Sequence, residues 1–350
     1  MRDLATPDLA MPRDDIGPAH DWVRVLARYR APSASRSILE LVVTFVPFVS
    51  LMAAAFRASH ISPALTLVVS ILNAGFLVRL FIIQHDCSHG SLFVNRHAND
   101  WIGRALGVLT LTPYDVWRRT HSIHHASSGN LDRRGIGDMP TLTVAEYLGR
   151  STARRFFYRL MRQPLVMFGI LPAYLFLLQN RLPIGLMRSG SRYWISAMLT
   201  NAGTAAVIGA AIWYLGAVPT VLVILPTILV AAVVGVWLFY VQHQFAETVW
   251  DRMTAWDLHE AALHGSSHYV LPPILRWFSG NIGIHHIHHL YSRIPFYRLP
   301  EVLRDHPALE KVQRLTLRES LRCARLHLWD EQQRRLVAFS EAHPGTGTRP

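Results

Sequence analysis

The chain has 350 residues, 51% of them hydrophobic and 17% charged, a balance that argues against two soluble domains and for a membrane protein. Its formal net charge is +12, carried almost wholly by arginine, since Lys311 is the single lysine. Two cysteines, Cys87 and Cys323, are too few for a disulfide framework, a four-cysteine iron–sulfur site or a zinc ribbon.

Met1–Pro18 is acidic and proline-containing, without the basic start and apolar middle of a cleaved leader, so the first apolar span is expected to be retained. Residues 1–37 read as a tail followed by an interfacial helix. Trp22, Val23, Leu26 and Tyr29 fall at helical spacing among Arg24, Arg28 and Arg30, which suits a helix lying on the membrane surface. Ile38–Phe56 and Pro63–Ile83 are apolar runs joined by the short polar turn Arg57–Ser62. Each is long enough to cross a hydrocarbon core of ~30 Å, so together they predict a transmembrane hairpin.

A mixed region, 84–163, comes next. Pro164–Leu178 is apolar but short and broken by Pro172, and is read as re-entrant or interfacial. Trp194–Leu215 and Val218–Val241 predict a second hairpin around Gly216 and Ala217. The membrane domain is therefore placed at 38–300. The C-terminal segment, 301–350, is expected to be polar, with soluble amphipathic helix over 301–340. No internal repeat is visible.

Parity then orients the chain. If the two hairpins are the only crossings, 1–37, 84–193 and 242–350 share one face. Arginine is dense in all three, while the two outer turns carry only Arg57, so that face is expected to be cytoplasmic. Arginines set around apolar spans point to anionic lipid headgroups, phosphorylated acyl carriers or acidic redox proteins as partners, and not to nucleic acid.

On the same face lie three histidine clusters: His85 and His89; His121, His124 and His125; and His285, His286, His288 and His289. Imidazoles this dense are poor packing material, because each brings a donor and an acceptor and protonated neighbours repel. A metal ion removes both problems by taking the lone pairs. On a helix, His85 and His89 share a face, and each HxxHH motif gathers its three rings within roughly a 100° arc. In the third cluster His286 would fit that arc as well as His288. The repeat of the HxxHH spacing favours His285, His288 and His289. Eight nitrogens exceed one four-coordinate zinc and suit two metals with open positions, and imidazole suits iron, zinc or copper. The expected fold is an all-α membrane protein, two transmembrane hairpins under a cytoplasmic helical cap that holds a dimetal site.

The segments His85-Asp-Cys-Ser-His89-Gly90, His121-Ser-Ile-His124-His125 and Gly283-Ile-His285-His286-Ile-His288-His289 resemble the three histidine boxes of the membrane fatty acid desaturases. Pro113–Arg118, Ser127–Asp138 and Tyr291–Pro295 are similar to the acyl-lipid desaturases of the Δ12/ω-6 type, and the similarity runs from about residue 40 to about 310. The resemblance implies two nonheme iron ions, O2 as co-substrate and a cis double bond introduced into a long acyl chain. That chain would be carried on lipid, CoA or a carrier protein. It also implies that the eight box histidines are iron ligands, with no separate catalytic residue.

A ninth ligand is common in the family at the end of the fourth span, where His243 stands here. Some acyl-CoA relatives hold a metal-bound water through an asparagine four residues earlier. That position is Phe239 here, which leaves Asn281 as a substitute candidate. His264, His268 and His286 are assigned supporting rather than ligating roles. Asp86, Asp115, Asp132 and Asp138 are candidates to orient imidazoles.

Oxidising the acyl chain while reducing O2 to water needs two electrons from outside. The sequence has no CxxCH, no GxGxxG and too few cysteines for a cluster, so a ferredoxin or cytochrome-type protein is expected as donor. Two other readings compete. A related diiron oxygenase (a carotenoid ketolase or hydroxylase, or a fatty acyl hydroxylase) would share the boxes. A histidine-lined transporter would place ionisable groups near the bilayer midplane, whereas the boxes here lie beyond the span ends.

Overall fold

The computed structural model describes residues 17–342, so the tail read over 1–16 and the last residues, 343–350, lie outside it. A short helix, α1 (Ala19–Leu26), precedes α2 (Ala34–Ser59) and α3 (Pro63–His89). Ser33 and Ser62 cap α2 and α3 by accepting from the amides of Arg36 and Leu65. Pro63 takes the first helical position, where a missing N–H costs nothing. Gly90 ends α3 at φ 66°, a left-handed conformation that glycine adopts without strain, one residue after His89.

Next come α4 (Arg96–Leu109), α5 (Tyr114–Ser127), β1 (Leu142–Thr143), α6 (Val144–Leu148) and α7 (Thr152–Met161). A π-helical turn, Val166–Ile170, leads into α8 (Leu171–Leu177). The stretch Val166–Arg181 is bent by 57° from α7, as expected where Pro164 and a π-turn interrupt the hydrogen-bond ladder. The second hairpin is α9 (Ser191–Leu215) and α10 (Ala217–His243), turned at Gly216.

Among the described residues, α2, α3, α9 and α10 are the four helices long and apolar enough to cross a membrane; a fifth span would require counting the bent pair as one. Over half of the apolar window of α3 is buried, 56% against 22–28% for the others, so α3 is the central post of the bundle. Val42, Val46 and Val49 on α2, and Val68, Ile71 and Leu72 on α3, face outward, as lipid-facing residues should. Arg79 of α3 and Glu40 of α2 are 2% and 3% exposed and form an ion pair, which lets two charges persist inside an apolar bundle.

The last third folds as a cap over one end of the bundle. It contains α11 (Leu258–His264), β2 (His268–Val270), α12 (Pro273–Phe278), α13 (His285–Leu290), α14 (Leu299–Asp305), α15 (Pro307–Glu310), β3 (Arg314–Thr316), α16 (Leu317–Cys323), β4 (Leu328–Asp330) and β5 (Arg335–Val337). β2 pairs in parallel with β3, and β4 pairs with both β1 and β5.

One expectation needs correction, and α1 makes contacts that its spacing did not show. α1 packs against the cap. Ala19 and Leu26 are fully buried, packing in one cluster with Leu263 of α11 and Ile287 and Leu290 of α13, and the Tyr29 hydroxyl donates to Asp305 at 2.9 Å. Amphipathic spacing shows which face must be covered but not by what. The stretch 301–340 is not continuous helix but short helices alternating with strands. Pro307 starts a new helix there, and the strands exist because β1 and β2, more than 40 residues distant in sequence, offer edges to pair with.

Candidate metal centre

Four elements aim their histidines at one volume. The last turn of α3 supplies His85 and His89, α5 supplies His121, His124 and His125, the end of α10 supplies His243, and α13 supplies His285, His288 and His289. They sort into two groups: His85, His89, His121, His125 and His288; and His124, His243, His285 and His289. Within each group the ligating nitrogens lie within 4.8 Å of one another.

Helix geometry explains the sorting. His121 and His125 are four apart and share one side of α5, while His124 turns toward the other group. On α13, His285 and His289 go together to the second group and His288 to the first. Each HxxHH motif therefore straddles both groups. His125 and His289, one from each, stack with ring centroids 4.0 Å apart and planes at 11°.

The donor set fits metal. His121 Nε2 stands 3.1 Å from the Nε2 atoms of both His89 and His125, and His243 Nε2 stands 3.1 Å and 3.0 Å from those of His124 and His285. A single proton can bridge one such contact but not two, so lone pairs are left facing each other. Among the described residues, the buried Nε2 atoms of His85 and His289 have no hydrogen-bond partner. Burial, reinforced by neighbouring imidazoles, holds His121, His125, His285, His288 and His289 well below the ordinary histidine pKa. Neutral rings with converging lone pairs are what a metal ion requires.

Two features hold the cluster in place. Asp138 accepts from His124 Nδ1 at 2.6 Å, which leaves Nε2 free to ligate. Gly283 lets the strand before α13 approach β2, where the Tyr269 amide donates to its carbonyl at 2.7 Å. A Cβ at Gly283 would sit 2.4 Å from the Tyr269 carbonyl oxygen. Gly283→Ala is expected to displace α13, costing ~1–3 kcal/mol of stability. It should also lower metal content, read by thermal unfolding and metal analysis of the purified protein.

Beside the histidines opens a cavity of about 780 Å³ that reaches His85, His121 and His285. Its walls include Leu77 and Phe81 of α3, Met167 and Leu171 from the bent element, and Phe239 of α10. Its largely apolar lining suits an apolar ligand brought up to the metal-ligating face.

Comparison with known proteins agrees with this arrangement. Residues 61–320 match the family model for fatty acid desaturases. A protein named fatty acid desaturase from Bacillus subtilis is 41% identical over 90% of this chain and 89% of its own. The chain belongs to the fatty acid desaturase family. An sn-1 acyl-lipid omega-3 desaturase (ferredoxin) of Synechocystis sp. is 30% identical over 63% of this chain and 61% of its own. A Δ12 fatty acid desaturase of Mortierella isabellina is 24% identical over 63% and 62%.

Other histidines of this desaturase stand outside both groups. His286 turns away on α13, its Nε2 3.0 Å from the Leu309 carbonyl and its ring 5.5 Å from that of His268. His268 Nδ1 in turn lies 2.7 Å from the Glu310 carbonyl, and His264 Nε2 lies 3.5 Å from Glu260. His286 and His268 thus tie α13 and β2 to α15, while the His264 contact lies within α11. Asn281 belongs to a turn, with φ 56° and its amide donating to the Phe296 carbonyl at 3.2 Å. The Phe239 ring stands 5.1 Å and 5.3 Å from those of His124 and His243.

The acidic candidates separate by role. Asp86 accepts from the Phe296 amide at 2.7 Å, Asp115 pairs with Arg104 and Arg192, and Asp132 pairs with Arg252. Asp138 makes the shorter contact to a histidine of the groups, at 2.6 Å to His124 Nδ1, and Asp86 stands 3.3 Å from His85 Nδ1. Trp117, whose ring stacks 4.3 Å from His121, was not singled out from sequence, although it sits in the quoted Pro113–Arg118 segment.

Proposed function

We propose that this desaturase holds two nonheme iron ions, one in each histidine group, and uses O2 to introduce a cis double bond into a long acyl chain. The observation that carries this reading is the cavity, which runs along apolar helices and meets ligand candidates of both groups, His85 and His121 of the first and His285 of the second. Iron bound there would supply the two-electron reduction of O2 that makes an unactivated C–H bond reactive. Nine histidines leave coordination positions open for that co-substrate.

The protein's own residues would bind, orient and shield. Trp117 and Phe239 line the cavity next to the histidines, excluding water from the reacting carbons. Asp138 would keep His124 in its ligating tautomer. The active face is assigned to the cytoplasm on the arginine distribution. Two electrons per turnover would come from a separate ferredoxin or cytochrome-type protein meeting that basic face. The segments flanking the boxes support a Δ12/ω-6 regiochemistry, on acyl groups held as lipid or thioester.

The test is expression in a host with saturated and monounsaturated lipids, followed by gas chromatography–mass spectrometry of its fatty acids. A new diene that disappears in a His288→Ala variant is the expected result. A hydroxylated or ketonic product would overturn the desaturation reading in favour of oxygen insertion.

A further inference from the structure

We infer that Gly235 on α10 sets how far the methyl end of the acyl chain can reach past the metal centre. It would thereby select which chain lengths react. The inference rests on reading the cavity as the acyl channel.

The wall that α10 presents to the cavity is a broad helical face centred on Ile228, Ala231, Ala232, Gly235, Phe239 and Gln242 and flanked by Val236 and Leu238. At 1.5 Å per residue that face extends roughly 21 Å along the helix axis. Gly235 sits about midway, roughly 12 Å along the axis from His243. The part beyond it is walled by Leu77 and Val78 of α3 and by Ile228 and Ala231, with no polar side chain among them. Nearer the metal centre the cavity carries Thr110 and Thr112, both hydrogen-bonded to Gln84, the neighbour of His85. A polar acyl head would lose its hydration in the first part and find partners in the second, so the methyl end belongs beyond Gly235.

Glycine weakens a helix interior, so its use there needs a reason. Helix packing supplies one for two glycines of the spans. An added Cβ would meet the Phe278 ring at 2.9 Å at Gly75, and Val108 at 2.9 Å at Gly203. At Gly235 an added Cβ meets nothing within 4 Å. Gly209 on α9 is also unhindered, but it is exposed on the outside of the bundle. The space in front of Gly235 is cavity, at the point where the channel passes from the metal centre into its apolar end. A larger side chain would fill that passage without touching the helix packing.

The series Gly235→Ala, Gly235→Leu and Gly235→Phe tests this, with Gly209→Leu as the control outside the cavity. Two readouts are compared in the full-length protein. One is the chain-length profile of unsaturated products in the expression host. The other is retention of radiolabelled saturated fatty acids of graded length by the purified protein. The expected result is a profile close to wild type for the control Gly209→Leu, with Gly235→Ala the mildest of the three changes at 235. Leucine and then phenylalanine at 235 should shift the preference toward shorter chains by roughly ten-fold or more, the scale of one methylene's misfit in an apolar pocket. Unchanged length preference in both large variants, or an equal loss at every length, would overturn the inference. A wild-type protein that makes no unsaturated product would instead sink the desaturation reading, while the retention series would still decide the role of Gly235.

Discussion

With one iron ion in each histidine group, as proposed, His243→Ala is expected to abolish desaturation and to remove about one of the two, whereas His286→Ala should keep both. Both side chains are buried, at 6% and 0% exposure, so burial alone does not distinguish them. Their surroundings do. His243 Nε2 faces two other imidazole nitrogens, and its removal leaves the second group with three histidines. Loss of a partner behind a ligand already costs ~10–100-fold in metal affinity, so loss of the ligand itself should exceed that. His286 contacts a backbone carbonyl. Its loss removes one partner of the Leu309 carbonyl, which still accepts from the Val312 amide at 3.3 Å, so it should cost ~0.5–1.5 kcal/mol of stability without touching the metal groups. Iron per chain, measured by elemental analysis of purified variants, separates the two. Equal iron loss in both would show that the grouping is wrong.

Glu40→Ala should be the most destabilising single change in the bundle. It strands Arg79, whose guanidinium also donates to Thr44 at 3.1 Å and to the Trp277 carbonyl, and lies 4.0 Å from the Trp277 ring. A buried charge without its counter-ion costs ~3–5 kcal/mol. The pair Glu40→Leu with Arg79→Met removes both charges, and should recover most of that loss. Because Arg79 grips α12, which leads into the third histidine cluster, Glu40→Ala should also lower iron retention. Thermal unfolding in detergent, with and without the second substitution, checks the sign. A double variant no more stable than Glu40→Ala would show that the pair acts through its hydrogen bonds rather than its charges.

The spans and the histidine clusters were legible in the sequence because their signals are local. An apolar run such as Pro63–Ile83 states its environment outright, and a spacing of three or four places rings on one helix face whatever the surroundings. The same locality let the repeat of HxxHH favour His288 over His286, and the structure brings His288 to the first group while His286 turns to the cap.

Local pattern had nothing to say about the rest. Which ring of a motif joins which group depends on where α5 and α13 cross, so His124 parting from His121 and His125 appears only when the helices are packed. α1 announced a face to bury, and only the packed chain shows that Ala19 and Leu26 bury it against the cap. β3 and β4 of the C-terminal segment exist because the distant edges of β2 and β1 receive them. The cavity is the extreme case, since it is made of what side chains leave empty, and the want of a side chain at Gly235 gains meaning only when α3 stands opposite. Sequence alone determined the apolar lengths and the ligand chemistry, because these are properties of a single element. The tertiary structure decided the partition of ligands, the docking of the ends and the channel, because these arise between elements.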